Sequence, residues 1–197
     1  MHAYRTLEKN GLAKKEVKKS IFFAYAAPVL TEEEAKNIIR FLRNEQDADH
    51  NVFAYVLNSE KLNSFKYDDD GEPAGSSGKV LHRVLEMKEL SNVIVVVKRY
   101  YGGVKLGFGG LARAYRETAS QAIENAGIID VREKKRMHLE FGYNDIENVK
   151  WLVSGFGTIL KTEYSDTISF DVEIDSELET VFKEKLIEAT SNRITIK

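Results

Sequence analysis

A chain of 197 residues with 43% hydrophobic content is long enough for one large domain or two small ones, with a packed core. It has no cysteine, which excludes a disulfide framework and a thiolate metal site. Its histidines, His2, His50, His82 and His138, lack ligand spacing, so no metal and no cofactor are expected. The net charge of −2 hides an asymmetry: residues 1–136 hold 23 Lys+Arg against 19 Asp+Glu, and residues 137–197 hold 6 against 12. A basic first part is compatible with a nucleic-acid or ribosomal partner, although its charge is far below that of a dedicated nucleic-acid binder.

Along the chain, KKEVKKS precedes the apolar run Ile21–Ala27. An AYA cleavage motif there would leave only Ile21, Phe22 and Phe23 as a signal core, against the roughly 7–15 residues required. The segment reads as a strand over Ser20–Ala27, ended by Pro28. No apolar run approaches the ~18 residues of a membrane span, so no membrane association and a cytoplasmic location are expected. A helix follows, with Thr31 and Glu34 as a capping box and Ala35, Ile38, Ile39 and Leu42 on one face. Strands are expected at 51–57 and at 93–97, where unbroken aliphatics suggest burial on both faces. Residues 66–78 read as a loop that opens a helix carrying Val80, Leu81, Val84 and Leu85. A further helix from about Leu111 to Ala126 is closed by Gly127.

The charged run 132–136 reads as a domain boundary, a solvated strand end or linker between domains at 1–131 and 137–197. Beyond it the pattern is β-α-β-β-α-β, the order of ferredoxin-like domains, with capping boxes at Asn144/Glu147 and Ser176/Glu179. The fold class expected is therefore α+β.

Two glycine-rich loops run into helices. One holds Asp69, Asp70, Gly71, Glu72, Gly75, Ser76 and Gly78; the other holds Gly102, Gly103, Gly107, Gly109 and Gly110. A glycine-rich turn at a helix N-terminus exposes N–H groups suited to an anion, while a tight crossover explains the same glycines without a ligand. Walker A, dinucleotide and EF-hand patterns all fail: Pro73 stands at the first Walker glycine, Arg113 at the third dinucleotide glycine, and Ser77 at the bidentate glutamate.

The stretches 68–81 (DDDGEPAGSSGKVL) and 95–115 (VVVKRYYGGVKLGFGGLARAY), with 18–29 and 48–55, resemble the paired signature of the IMPACT/YigZ family over about residues 1–130. Ser76-Ser77 depart from the family's more usual Thr-Ala. The resemblance implies a first domain with the left-handed βαβ fold of elongation factor G domain IV and a second similar to its domain V. Eukaryotic relatives are linked to control of translation initiation, and no settled activity is implied for bacterial members.

The leading expectation is a non-enzymatic binding protein for RNA, the ribosome or a translation factor, with no catalytic residues and an unassigned oligomeric state. Lys98, Arg99, Lys105 and Arg113 would neutralise phosphates, Tyr100 would stack on bases, and Gly102, Gly103, Gly109 and Gly110 would allow close backbone approach. The alternative is a GHMP-kinase-like enzyme of a phosphorylated small molecule. In that reading residues 73–78 cradle phosphate, and Asp68, Asp69, Asp70 and Glu72 hold Mg²⁺. A third possibility is that the two loops' charges pair with each other, which the sequence leaves open.

Overall fold

The structure, a computed structural model, describes residues 4–45, 48–58 and 63–197. His2 lies outside them. The chain divides into two compact units, Tyr4–Val131 and a second containing Arg132–Lys197, each mixed α+β with antiparallel sheets.

The first unit is built on five antiparallel strands in the order β2 (Gly11–Val17), β3 (Ser20–Pro28), β6 (Val93–Tyr100), β4 (His50–Asn58) and β5 (Asn63–Asp68). A separate ribbon pairs β1 (Tyr4–Leu7) with β7 (Ile128–Val131). One face of the sheet carries α1 (Glu32–Glu45); the other carries α2 (Gly78–Met87) and α3 (Gly107–Ala126). This explains the unbroken aliphatics of β6: Val93, Val95 and Val97 pack on the α2/α3 side, while Ile94 and Val96 pack on the α1 side. The sheet is antiparallel, and helices on both faces are what make the strand apolar throughout.

The α1 start forms one half of the expected capping box, the Glu34 N–H donating to Thr31 Oγ1, while the Glu34 carboxylate accepts from the Leu30 N–H rather than from Thr31. Four strands were not expected. β1 and β7 are short, β2 exposes a lysine-rich edge, and β5 takes residues assigned to the loop at 66–68. The β2–β3 turn is a two-residue connection in which Lys18 and Lys19 both adopt left-handed conformations, at φ +46° and +67°. Two lysines give no turn signal in sequence. Helix α3 begins at Gly107, a turn earlier than expected, and ends at Gly127 with φ +75°.

In the second unit the strand order is β11 (Thr195–Ile196), β8 (Lys134–Phe141), β10 (Ile168–Asp175), β9 (Gly157–Tyr164). With α4 (Ile146–Phe156) and α5 (Glu179–Ala189) it encloses its own core, including Leu139, Phe141, Phe170, Phe182 and Leu186. Strand β8 already starts within the charged run. There Lys134 and Arg132 meet Asp175, Lys135 meets Glu179, and Arg136 meets Glu173. Neither expected capping box forms here, because a 3₁₀ turn precedes each helix and displaces Asn144 and Ser176 from the cap position. Asp145 instead turns inward and holds Arg193 at 2.8 Å. No helix among the described residues is long and apolar enough to cross a membrane.

Candidate nucleic-acid interface

The first glycine loop binds an anion, and that anion is its own side chain. The Asp69 carboxylate accepts N–H bonds from Gly75 at 2.8 Å, Ser77 at 3.1 Å and Gly78 at 2.8 Å, with the Ser77 hydroxyl at 2.6 Å. The start of α2, expected as a phosphate cradle, is therefore filled. Gly71 and Gly75 turn the chain at φ +83° and +77°, and a Cβ on Gly78 would lie 2.6 Å from the Asp68 carbonyl oxygen. Ser76 is buried beneath the loop, its hydroxyl without a hydrogen-bond partner. Burial raises the Asp69 carboxyl, but the Ser77 hydroxyl and the N–H groups of Gly75, Gly78 and Ser77 outweigh it and hold it below the usual range.

A carboxylate depressed in the folded state adds stability above its ordinary range and loses it as pH falls through the folded value. Urea midpoints measured downward from neutral pH should thus fall more steeply below about pH 4 for the wild type than for Asp69→Asn. Parallel acid limbs would show that the loop does not depend on this charge.

The remaining acids also serve the fold. Asp70 pairs with Arg43 at 2.8 Å and accepts from the Asn51 N–H, while its carbonyl accepts from His50 Nδ1. Glu72 is buried against Arg99, which reaches both carboxylate oxygens at 2.8 and 2.9 Å, and the Tyr115 hydroxyl donates to the same carboxylate at 2.8 Å. Burial, then the Glu72 charge, pushes the Tyr115 hydroxyl well up, so it stays a donor. This corrects the expectation for Arg99 and Glu72: they close on each other across the two loops. The kinase-like reading loses its geometry as well, since Asp69, Asp70 and Glu72 are engaged with N–H groups or cations.

Three of the second loop's glycines are demanded by packing or turning. A Cβ on Gly102 would sit 2.1 Å from the Lys19 carbonyl carbon under the β2–β3 turn, and Gly103 and Gly107 have φ +78° and +72°. Gly109 and Gly110 lie exposed in the first turn of α3, with open space or ordinary contact around them. No side chain caps this helix. Exposed Lys105 lines a cleft of about 430 Å³ with Arg99, Tyr101 and Phe108.

The cations expected to act together are separated by strand alternation. Lys98 and Tyr100 point to the α1 face of β6, Arg99 to the α2/α3 face, and Arg113 stands exposed on α3. What the fold brings together instead is a groove of about 520 Å³ between α2 and α3. Lys79, Arg83 and Met87 form one row at spacing i, i+4; Phe108, Ala112 and Arg116 form the facing row. No acid lines this groove, and Lys79, Arg83 and Arg116 make no salt bridge among the described residues. The neighbouring acid Glu117 is held by Lys15 at 2.5 Å. Phe108 is 60% exposed and Met87 83%.

Residues 18–123 match the Impact N-terminal domain, and residues 139–193 match a domain of unknown function, DUF1949. The chain belongs to the IMPACT family. The IMPACT family member YvyE of Bacillus subtilis is 31% identical over 199 aligned positions, covering all of this chain and 91% of the relative. The IMPACT family member YigZ of Escherichia coli is 30% identical, covering 87% of this chain and 85% of the relative. A crystal structure described as that of a hypothetical protein superposes with a TM-score of 0.65 at 27% identity, covering 100% of this chain and 97% of the other. In this IMPACT family chain, Lys79 and Arg83 lie just beyond the glycine motif and belong to no motif of their own. Their i, i+4 spacing at the start of a helix was the available signal.

Proposed function

We propose that the protein is a non-enzymatic, cytoplasmic RNA-binding protein that docks structured RNA in the α2/α3 groove, with a role in translation regulation. The observation that carries the reading is the pair of facing rows: three cations with, among the described residues, no ion pair and no acid in the lining, and the exposed Phe108 ring at the groove's end. Guanidinium and ammonium groups displace counterions from phosphates, and an exposed ring stacks on an unpaired base. Lys105 and Arg113, exposed on the loop and on α3, extend the positive surface. The ribosome and translation factors belong to the same proposal through the family resemblance. So does the reading of the two units as counterparts of elongation factor G domain IV and of a ferredoxin-like domain.

Fluorescence anisotropy with a structured RNA over a salt series tests it. Lys79→Ala, Arg83→Ala and Arg116→Ala combined should flatten the dependence of log K on log salt by about 2–3 units, at roughly 0.7–0.9 per phosphate contact. Identical affinity of wild type and triple variant at every salt would end the RNA reading.

A further inference from the structure

The opposite face of the same sheet carries a second polar-aromatic surface. Helix α1 covers β4 and the start of β6, leaving β2, β3 and the end of β6 open beside it. The opening is a groove of about 510 Å³ lined by Lys14, Phe23, Tyr25, Lys98 and Tyr100, with Leu42 of α1 as its wall. The rings are already arranged: Phe23 and Tyr100 meet edge to face at 5.9 Å, and the Lys14 ammonium lies 5.1 Å over the Phe23 ring.

Two polar groups here are left unsatisfied by the protein. Lys98 is only 8% exposed, and among the described residues it has no carboxylate partner and no acid lines the groove. Beside it in the register stands Asn51, whose Oδ1 is buried without a hydrogen-bond donor. The only acid on the open face of β2 is Glu16, opposite Ile21 and outside the lining. The Lys98 stem is packed along its length while its ammonium keeps access to the groove, where an incoming anion can meet it.

We propose that this groove is a nucleotide-binding site for single-stranded nucleic acid, with a base stacked on the exposed Phe23 ring, at right angles to Tyr100, and the phosphate held by Lys98 and Lys14. Its volume lies within the range of small-ligand sites, and aromatic rings on a sheet face with flanking cations are a base-stacking platform. Single strands are the occupant because a duplex keeps its base faces stacked and leaves these rings nothing to cover. The site is on the other side of the sheet from the α2/α3 groove and does not rest on it.

The test titrates the full chain with 5′-phosphorylated hexauridylate by calorimetry. Saturable binding is expected, weakened about tenfold or more by Phe23→Ala and by Lys98→Met, and several-fold by Lys14→Ala, while Arg116→Ala leaves it unchanged. Lys14 is exposed, so its variant separates binding from folding. Lys98→Met should melt no lower than wild type, since it removes an uncompensated charge; a lower melting temperature would reveal a structural partner and overturn the site. Equal binding by wild type, Lys98→Met and Lys14→Ala would also overturn it, as would failure of hexauridylate to bind while structured RNA still binds. Capture of hexaglutamate but not hexauridylate through these residues would replace the nucleic acid with an acidic protein segment.

Discussion

Glu72→Gln is expected to destabilise the first unit by about 3–5 kcal/mol, because it removes the counter-charge of a guanidinium almost wholly withdrawn from water. The Arg99 and Glu72 side chains are 6% and 3% exposed. Arg99 lies between the rings of Phe22 and Tyr101, 5.6 and 5.2 Å from their centroids, and its Nε already lacks a partner. The Tyr115 hydroxyl would still find an acceptor in glutamine, so the loss isolates the charge. Glu72→Leu combined with Arg99→Met should recover much of the stability, as replacing both members of a buried pair often does. Urea denaturation measures all three. A cost below about 1 kcal/mol for Glu72→Gln would mean that water reaches the pair.

The glycines of the second loop should divide sharply by position. Gly102→Ala places a methyl group 2.1 Å from the Lys19 backbone carbon and 2.2 Å from its oxygen, where no side chain can yield. A cost of roughly 3 kcal/mol or more is expected, at or beyond the upper end of overpacking penalties. Gly109→Ala meets nothing within 4 Å and lies in a helix, so it should stabilise by about 0.5–1 kcal/mol. If the two variants behave alike in thermal denaturation, the packing of the loop beneath the β2–β3 turn is wrong.

Features encoded locally were legible from the chain. The Thr31/Glu34 box sits directly before an apolar stripe, and the β6 aliphatics need only two covered faces. Features that depend on distant partners were not. Arg99 reads as a free cation until Glu72, 27 positions earlier, is folded against it. Lys98 and Arg99 are adjacent in sequence and face opposite sides of a sheet. The Asn144 and Ser176 boxes had the right letters, but a 3₁₀ turn took the first positions of each segment. The edge strand β2 hid because its exposed positions mix Leu12 with Lys14 and Glu16 and its inward ones are small or partly buried.

The edge position of β9 raises a different matter, the protein's behaviour when crowded with copies of itself. A strand that pairs on one side only offers its other side's N–H and C=O groups to any passing chain. β9 is eight residues long, and Leu160 and Tyr164 stand exposed along it. Lys161 and Glu163 are exposed on the same strand, paired at 2.7 Å, and the register against β10 slips at Asp171/Val172. Charge and an irregular register both discourage a second sheet from annealing there. In this unit the safeguard against aggregation is thus written into one ion pair and one break in the ladder.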